Sequence, residues 1–224
     1  MNLYQQIVKE SGLPWLPLDI EIPYREILEE ANNIKHLFVY HTDQRTAVGA
    51  PRSKANWRYN TVGGTRSKGW KGVCIHGISA EKTNHFTQYG YKSEDETPYN
   101  WTEITKFCPI TTKFFKEQYP CSDYFRVRFM LLEPGGYISP HVDSEKIALS
   151  PVNIALNHPK NCLFKMEKHG IVSMTPGRVM LLDVSNKHAY INKSKEDRIH
   201  IIVHGKPSKE FKKIVEDSYA SYRA

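Results

Sequence analysis

The sequence predicts a mainly β protein with flanking helices, built around a jelly-roll core. Three observations carry this. YFRVRFMLL, starting at Tyr124, alternates and is rich in aromatic and β-branched residues, the pattern of a strand. Short apolar runs follow (VNIAL, CLFKME, IVSM, RVMLLDV, HAYIN and RIHIIVHG), separated at close intervals by turn residues, as in β-sandwiches and barrels. The two ends have a different period: apolar residues recur near every 3.6 positions in YREILEEANNIKHLF and in SKEFKKIVEDSYASYR.

In chain order, Pro23 opens a helix over YREILEE, because its fixed φ suits a first helical turn. Residues 41–69 read as loop, with Pro51, Gly63 and Gly64, and Trp70–Ile78 as a candidate strand. Residues 79–100 are polar and turn-rich. The stretch Thr102–Tyr119 is helical, with Pro109 splitting it in two. Pro134-Gly135-Gly136 reads as a turn between YFRVRFMLL and a second strand, YISPHVD. The C-terminal helix is capped by Ser208 and sets Phe211, Ile214, Val215, Tyr219 and Tyr222 on one face. The expected layout is a single domain over residues 1–224. It comprises a helical and loop extension over 1–120, a jelly-roll catalytic core over 121–207 and the helix over 208–224.

Composition narrows the class. A chain of 224 residues buries a substantial core without disulfides. No apolar run spans a bilayer and the first thirty residues lack a signal-peptide core, so the expectation is a soluble, cytoplasmic protein. Cys74, Cys108, Cys121 and Cys162 form no CxxC pair, and reduced thiols are expected rather than a zinc site. The net charge is +7, and it is localised. Between Gln44 and Ala80 there is no acid, but Arg45, Arg52, Lys54, Arg58, Arg66, Lys68 and Lys71 are present. With Trp57, Tyr59 and Trp70, the segment 45–71 suits either a solvated loop or a contact with acidic substrate or single-stranded nucleic acid.

The candidate chemistry lies in the core. In a strand, residues two apart share a face, so His141-Val142-Asp143 aims an imidazole and a carboxylate the same way. His188 follows 45 residues later, after an apolar strand and a tight turn. Two imidazoles and a carboxylate leave three open positions on an octahedral metal, the ligand set of non-haem Fe(II) oxygenases, although zinc hydrolases use similar groups. Ten residues beyond His188 stands Arg198, whose guanidinium suits a carboxylate, with Glu196 or Asp197 as alternative partners. Asp183 and Ser185 are candidates to shape the turn before His188. His200 shares the parity of Arg198, which suits either a place in the same pocket or, the preferred reading, a core histidine. His158 and His169 are assigned nothing.

These residues, in this order, resemble a known family. Arg128 and LLEPGGYISPHVD, then VNIAL, then PGRVMLLDVSNKHAYIN, then DRIHIIV, are similar to the double-stranded β-helix (cupin-like) core of 2-oxoglutarate oxygenases. Within these the match is to the aspartyl/asparaginyl β-hydroxylases, which include free-proline hydroxylases. The resemblance covers a little over a third of the chain. It implies that His141, Asp143 and His188 bind Fe(II) and that Arg198 clamps the far carboxylate of 2-oxoglutarate. It also implies that O2 is consumed and that an amino-acid unit, free or in a protein, is hydroxylated as 2-oxoglutarate becomes succinate. Asp143 argues against a halogenase, in which a small residue stands there. The family's Arg-x-His on the helper strand is replaced by Pro151-Val152-Asn153. Asn153 supplies an amide there, and Arg126 or Arg128 is left to replace the arginine. Two alternatives follow from other features: a nucleic-acid-directed oxygenase, and a non-catalytic metal- or ligand-binding jelly roll.

Overall fold

A computed structural model of the chain describes residues 6–7, 10–12, 14–41, 59–60, 65–143 and 151–223. Twelve strands are found among them: β1 (Trp15–Leu18), β2 (Val39–Tyr40), β3 (Tyr59–Asn60), β4 (Thr65–Gly77), β5 (Asn100–Trp101), β6 (Cys121–His141), β7 (Val152–Ala155), β8 (Cys162–Met166), β9 (Gly170–Ile171), β10 (Val179–Leu182), β11 (His188–Asn192) and β12 (Arg198–Pro207). The helices are α1 (Tyr24–Asn33), α2 (Pro109–Glu117) and α3 (Lys209–Arg223). The main sheet runs β1-β10-β7-β12-β6-β11-β8-β9, and its pairs are antiparallel. This is the mainly β, curled sheet with flanking helices that the sequence predicts.

The curl comes from β6. Its first part pairs with β12, from Cys121 to Leu132, and its last part with β11, from Tyr137 to His141. Strand β4 runs along it from Ser67 to His76. Pro134-Gly135-Gly136 is therefore a bend inside one 21-residue strand, where the sequence suggested a turn between two. Gly135 has φ +69°, and a Cβ on Gly136 would lie 2.7 Å from the Glu133 carbonyl oxygen and 2.9 Å from that of Lys68. Only glycine permits that approach. Opposite, Gly69 has φ +65°, where the β4–β6 register shifts. The bend lets one long strand serve two sheet halves, and the site lies between them.

Period-2 alternation assigns the two faces. Val127, Phe129 and Leu131 of β6 join Ile199, Ile201 and Val203 of β12 in a core with Ile27, Phe115 and Phe211 from the helices. Met130 and Leu132 face the other way, with Phe164, Met166, Met180, Leu182 and Tyr190. Arg126, Arg128, Arg198 and His200 share that second parity. Burial on both faces explains why these strands read as nearly continuous apolar runs.

The strand read at Trp70–Ile78 is present and starts earlier, at Thr65, within the stretch read as loop, and Trp15–Leu18 is a strand that the sequence reading did not mark. β1 escaped notice because of Pro17, which is tolerated because β1 is an edge strand. Pro109 does split the next helical region, into a 3-10 turn at Glu103–Lys106 and α2, where it occupies the first turn. Ser208 caps α3, its hydroxyl accepting from the Phe211 N–H at 3.0 Å. Tyr222, placed on the apolar face from sequence, is instead exposed, and Ser218 is buried. The four cysteines are free. No helix among the described residues is long and apolar enough to cross a membrane. Of the basic segment, residues 45–58 and 61–64 lie outside the described residues.

One buried contact joins the helices. The Glu30 carboxylate on α1 accepts from the backbone N–H groups of Ile110 and Thr111 at 2.7 and 2.9 Å, and from the Thr111 hydroxyl at 2.6 Å. It satisfies donors at the α2 N-terminus, where negative charge is favoured. Glu30→Ala leaves those donors buried and unpaired. An unfolding titration is expected to show a loss of about 2–3 kcal/mol, and a loss below about 0.5 kcal/mol would remove this role.

Candidate functional site

His141 ends β6, and His188 begins β11 directly opposite. A register shift between the His188 and Tyr190 pairings turns His141 onto the same face as Ile138, three residues earlier. This is the effect of a bulge, which re-aims a side chain at a strand end. Asp143 lies beyond the strand. Its backbone N–H donates to the Val184 carbonyl at 3.1 Å, which ties it to the turn before His188. The HxD pair thus converges, though through this tether rather than through strand parity.

The ring orientations are set by backbone carbonyls. His141 Nδ1 lies 2.8 Å from the Ser139 oxygen, and His188 Nδ1 lies 2.8 Å from the Asn186 oxygen. A carbonyl only accepts, so each Nδ1 carries the proton and each Nε2 keeps its lone pair. Asp143 Oδ1 lies 3.1 Å from His141 Nε2, and Oδ2 lies 3.6 Å from His188 Nε2. The ligand atoms of all three residues lie within 4.8 Å of one another. Ligands at adjacent corners of a six-coordinate cation are roughly 3 Å apart, given bonds of about 2.1 Å. The set fits one metal ion. Desolvation pushes the Asp143 carboxyl up, but its contacts with His141 and His188 prevail and hold it well below the usual carboxylate range.

The turn that presents His188 is built by Asp183, which is buried. Its carboxylate accepts from the Ser185 N–H at 3.0 Å, from the Ser185 hydroxyl and from the Asn186 amide at 2.7 Å. Its own N–H donates to the Pro14 carbonyl. The Asn186 oxygen held in this way is the one that fixes His188. Asp183→Ala is expected to weaken metal binding about 10- to 100-fold, measured by titration of the apoprotein. An unchanged affinity would show that the turn holds itself.

The three residues open onto a cavity of about 1030 Å³. Trp70, Ile138, Phe164 and Leu182 give it apolar walls; Arg126, Arg128, Asn153, Tyr190, His200 and His204 give it polar ones. Arg198 is 1% exposed, and the two residues it touches, Tyr190 and His200, line the cavity. It packs over the Tyr190 ring, 4.5 Å from the centroid, and its Nη1 meets His200 Nδ1 at 2.5 Å. Burial first, then Arg198 and Arg128, push His200 well below its ordinary value, so it is neutral and accepts from Arg198. Its remaining proton is on Nε2. Neither Glu196 nor Asp197 pairs with Arg198; Asp197 pairs with Lys35 at 2.9 Å. Among the described residues, Arg198 Nε and Nη2 are buried without a partner, as is Asn153 Oδ1.

Arg128, also proposed from sequence for the cosubstrate, lies on the wall of the same cavity, where its Nη1 donates to the Thr83 carbonyl. Burial, then the neighbouring Arg126, push it down to about 9. Tyr190 and His204 were missed. Parity was the available signal, since Tyr190 is two residues from His188 and His204 four from His200. His41, Asn84 and His85 also reach the wall, and no local pattern pointed to them.

A family model described as Aspartyl/Asparaginyl beta-hydroxylase matches residues 23–206. No protein with a curated description matches the chain. Among solved structures, the chain is similar to HygX from Streptomyces hygroscopicus with nickel, 2-oxoglutarate and hygromycin B bound, at 7% identity and TM-score 0.48, covering 93% of this chain and 88% of that one. It is also similar to a Trichoplax adhaerens prolyl hydroxylase in complex with a hypoxia inducible factor peptide fragment, at 13% identity and TM-score 0.46, covering 98% and 92%. A third is a Pseudomonas putida prolyl-4-hydroxylase, at 13% identity and TM-score 0.39, covering 92% and 100%.

Proposed function

Because the chain belongs to the aspartyl/asparaginyl β-hydroxylase family of 2-oxoglutarate- and Fe(II)-dependent oxygenases, we propose that it hydroxylates an amino-acid unit, free or within a protein, at the centre formed by His141, Asp143 and His188. The observation that carries this is the convergence of two oriented imidazole Nε2 atoms and one carboxylate within 4.8 Å.

The donor set and the unpaired donors fit the implied groups. His141, Asp143 and His188 would hold Fe(II), and the partnerless Nε and Nη2 of Arg198 would meet a carboxylate of 2-oxoglutarate. Arg198 would bind it in concert with His200, which stands at the wall beside it, and Asn153 offers its amide to the same space. When bound, iron and 2-oxoglutarate supply with O2 an oxidant able to attack an unactivated C–H bond, as 2-oxoglutarate becomes succinate and CO2. The protein's own work is positional. Ser139 and the Asp183 turn hold the imidazoles, Asp143 offsets metal charge, and Trp70, Phe164 and Leu182 limit water. The nucleic-acid alternative gains nothing from the described residues.

The test is succinate formation with Fe(II) and 2-oxoglutarate over a panel of free amino acids, peptides and oligonucleotides, with His141→Ala alongside. Turnover above the variant with an amino acid or peptide is expected. Equal turnover by both proteins would remove the metal assignment, and turnover with oligonucleotides alone would remove the substrate reading.

A further inference from the structure

The cavity contains more positive charge than iron and cosubstrate would use. Arg126 and Arg128 sit on one face of β6, two residues apart, 8% and 6% exposed, and both line the cavity. Nε of each is buried with no partner. The Arg126 side chain makes no hydrogen bond or ion pair among the described residues, and Arg128 makes only its bond to the Thr83 carbonyl. Burying a cation without a counter-ion costs several kcal/mol, and these two also repel each other.

Charge bookkeeping shows that the excess is real. Fe(II) with Asp143, doubly charged 2-oxoglutarate and Arg198 sum to zero. The nearby His200 and His204 add nothing, since burial and the adjacent arginines push both well below their ordinary values. Glu94 and Asp95 touch the cavity only at its exposed rim, where water screens them. Among the described residues the two guanidinium groups have no carboxylate at ion-pair distance, and only the charge of Glu94, at the rim, reaches Arg126.

They are also in the wrong place for the cosubstrate's far carboxylate. On β12, Arg198 pairs with Leu132, Ile202 with Arg128 and His204 with Arg126. At about 3.3 Å per residue, Arg128 lies roughly 13 Å and Arg126 roughly 20 Å along β6 from the Arg198 level. Arg128 moreover turns toward Thr83, and it lies near enough to Asp143 to feel its charge.

We propose that Arg126 and Arg128 form an anion subsite for the substrate, separate from the cosubstrate's, and that the hydroxylated amino-acid unit bears a carboxylate bound there. This rests on the oxygenase reading above and names its substrate class. The carboxylate is either that of a free amino acid or the side chain of an acidic residue in a peptide. Arg128 thereby moves from the cosubstrate, where the sequence put it, to the substrate.

The experiment is calorimetric titration of the Zn(II)-loaded protein with 2-oxoglutarate present, which binds without oxidising. The ligands are free amino acids, their α-amides, and end-capped peptides carrying a central Asp or Asn. A carboxylate ligand is expected to bind about 10-fold or more tighter than its amide. Arg126→Gln and Arg128→Gln are each expected to weaken it by about 10- to 150-fold, with 2-oxoglutarate affinity changed by no more than about twofold. Preference among free amino acids, or for Asp over Asn in capped peptides, identifies the source. If a glutamine variant fails to fold, Arg126→Lys and Arg128→Lys should keep the carboxylate preference, and its loss there would overturn the proposal. Equal binding of amides overturns it too, as does a loss of 2-oxoglutarate affinity in Arg128→Gln comparable to the loss for substrate. If 2-oxoglutarate fails to bind the wild-type protein at all, the oxygenase reading itself has failed, and the outcomes are distinct.

Discussion

Replacing Arg198 by methionine is expected to weaken 2-oxoglutarate binding roughly 100-fold without lowering the melting temperature of the ligand-free protein. The two effects have one cause. Among the described residues, Arg198 is buried with Nε and Nη2 unpaired and no carboxylate partner; its contacts are neutral His200 and the Tyr190 ring. That cation costs the empty protein several kcal/mol, against which the ring contact returns about 0.5–2 kcal/mol. Methionine fills similar space and carries no charge. With 2-oxoglutarate at a hundred times its dissociation constant, the wild-type fold gains about 2.7 kcal/mol, while the variant gains only about 0.4 kcal/mol. Thermal melts with and without 2-oxoglutarate measure both. A variant that binds 2-oxoglutarate as tightly as wild type would show that Arg198 is a buried structural cation only. One that melts far lower without ligand would show that Arg198 stabilises the empty fold.

What the sequence could disclose followed the reach of each signal. Alternation over β6 and β12 is local, so the faces of Arg126, Arg128, Arg198 and His200 follow from parity alone. The cap at Ser208 and the break at Pro109 are local too. The order His141, Asp143, His188, Arg198 was legible because the fold brings fixed strand ends together. The path of β6 was not, because a proline and two glycines make a bend or a turn according to whether a strand such as β4 pairs on both sides of them. The position of Asp143 depends on the Val184 carbonyl, 41 residues away in sequence, and no pattern encodes that contact. The same holds for Thr83 against Arg128. His200 was read as a core histidine, and it is both buried and on the cavity wall. Parity could not separate those roles, because an enclosed site is itself part of the interior.

His141→Ala is expected to remove metal-dependent stabilisation and to lower succinate formation roughly 1000-fold or more, while leaving a folded protein. Loss of a supporting contact typically costs 10- to 100-fold in metal affinity, and His141 would be a ligand rather than a support. The remaining His188 and Asp143 leave an ion to be held by two protein groups, one of them open to the cavity. The fold loses little, because the imidazole's bond to the Ser139 carbonyl sits at the end of β6 rather than in the core. Wild-type protein should therefore melt higher as one equivalent of Mn(II) or Zn(II) is added, and the variant should not respond. The contrast with Asp183→Ala makes the result specific. That variant keeps all three donors but loses the turn that aims His188, so saturating metal should restore it, whereas no metal concentration restores His141→Ala. If both variants respond to metal alike, His141 is not a ligand, and the bulge that turns it inward serves only the packing of β6 against β11.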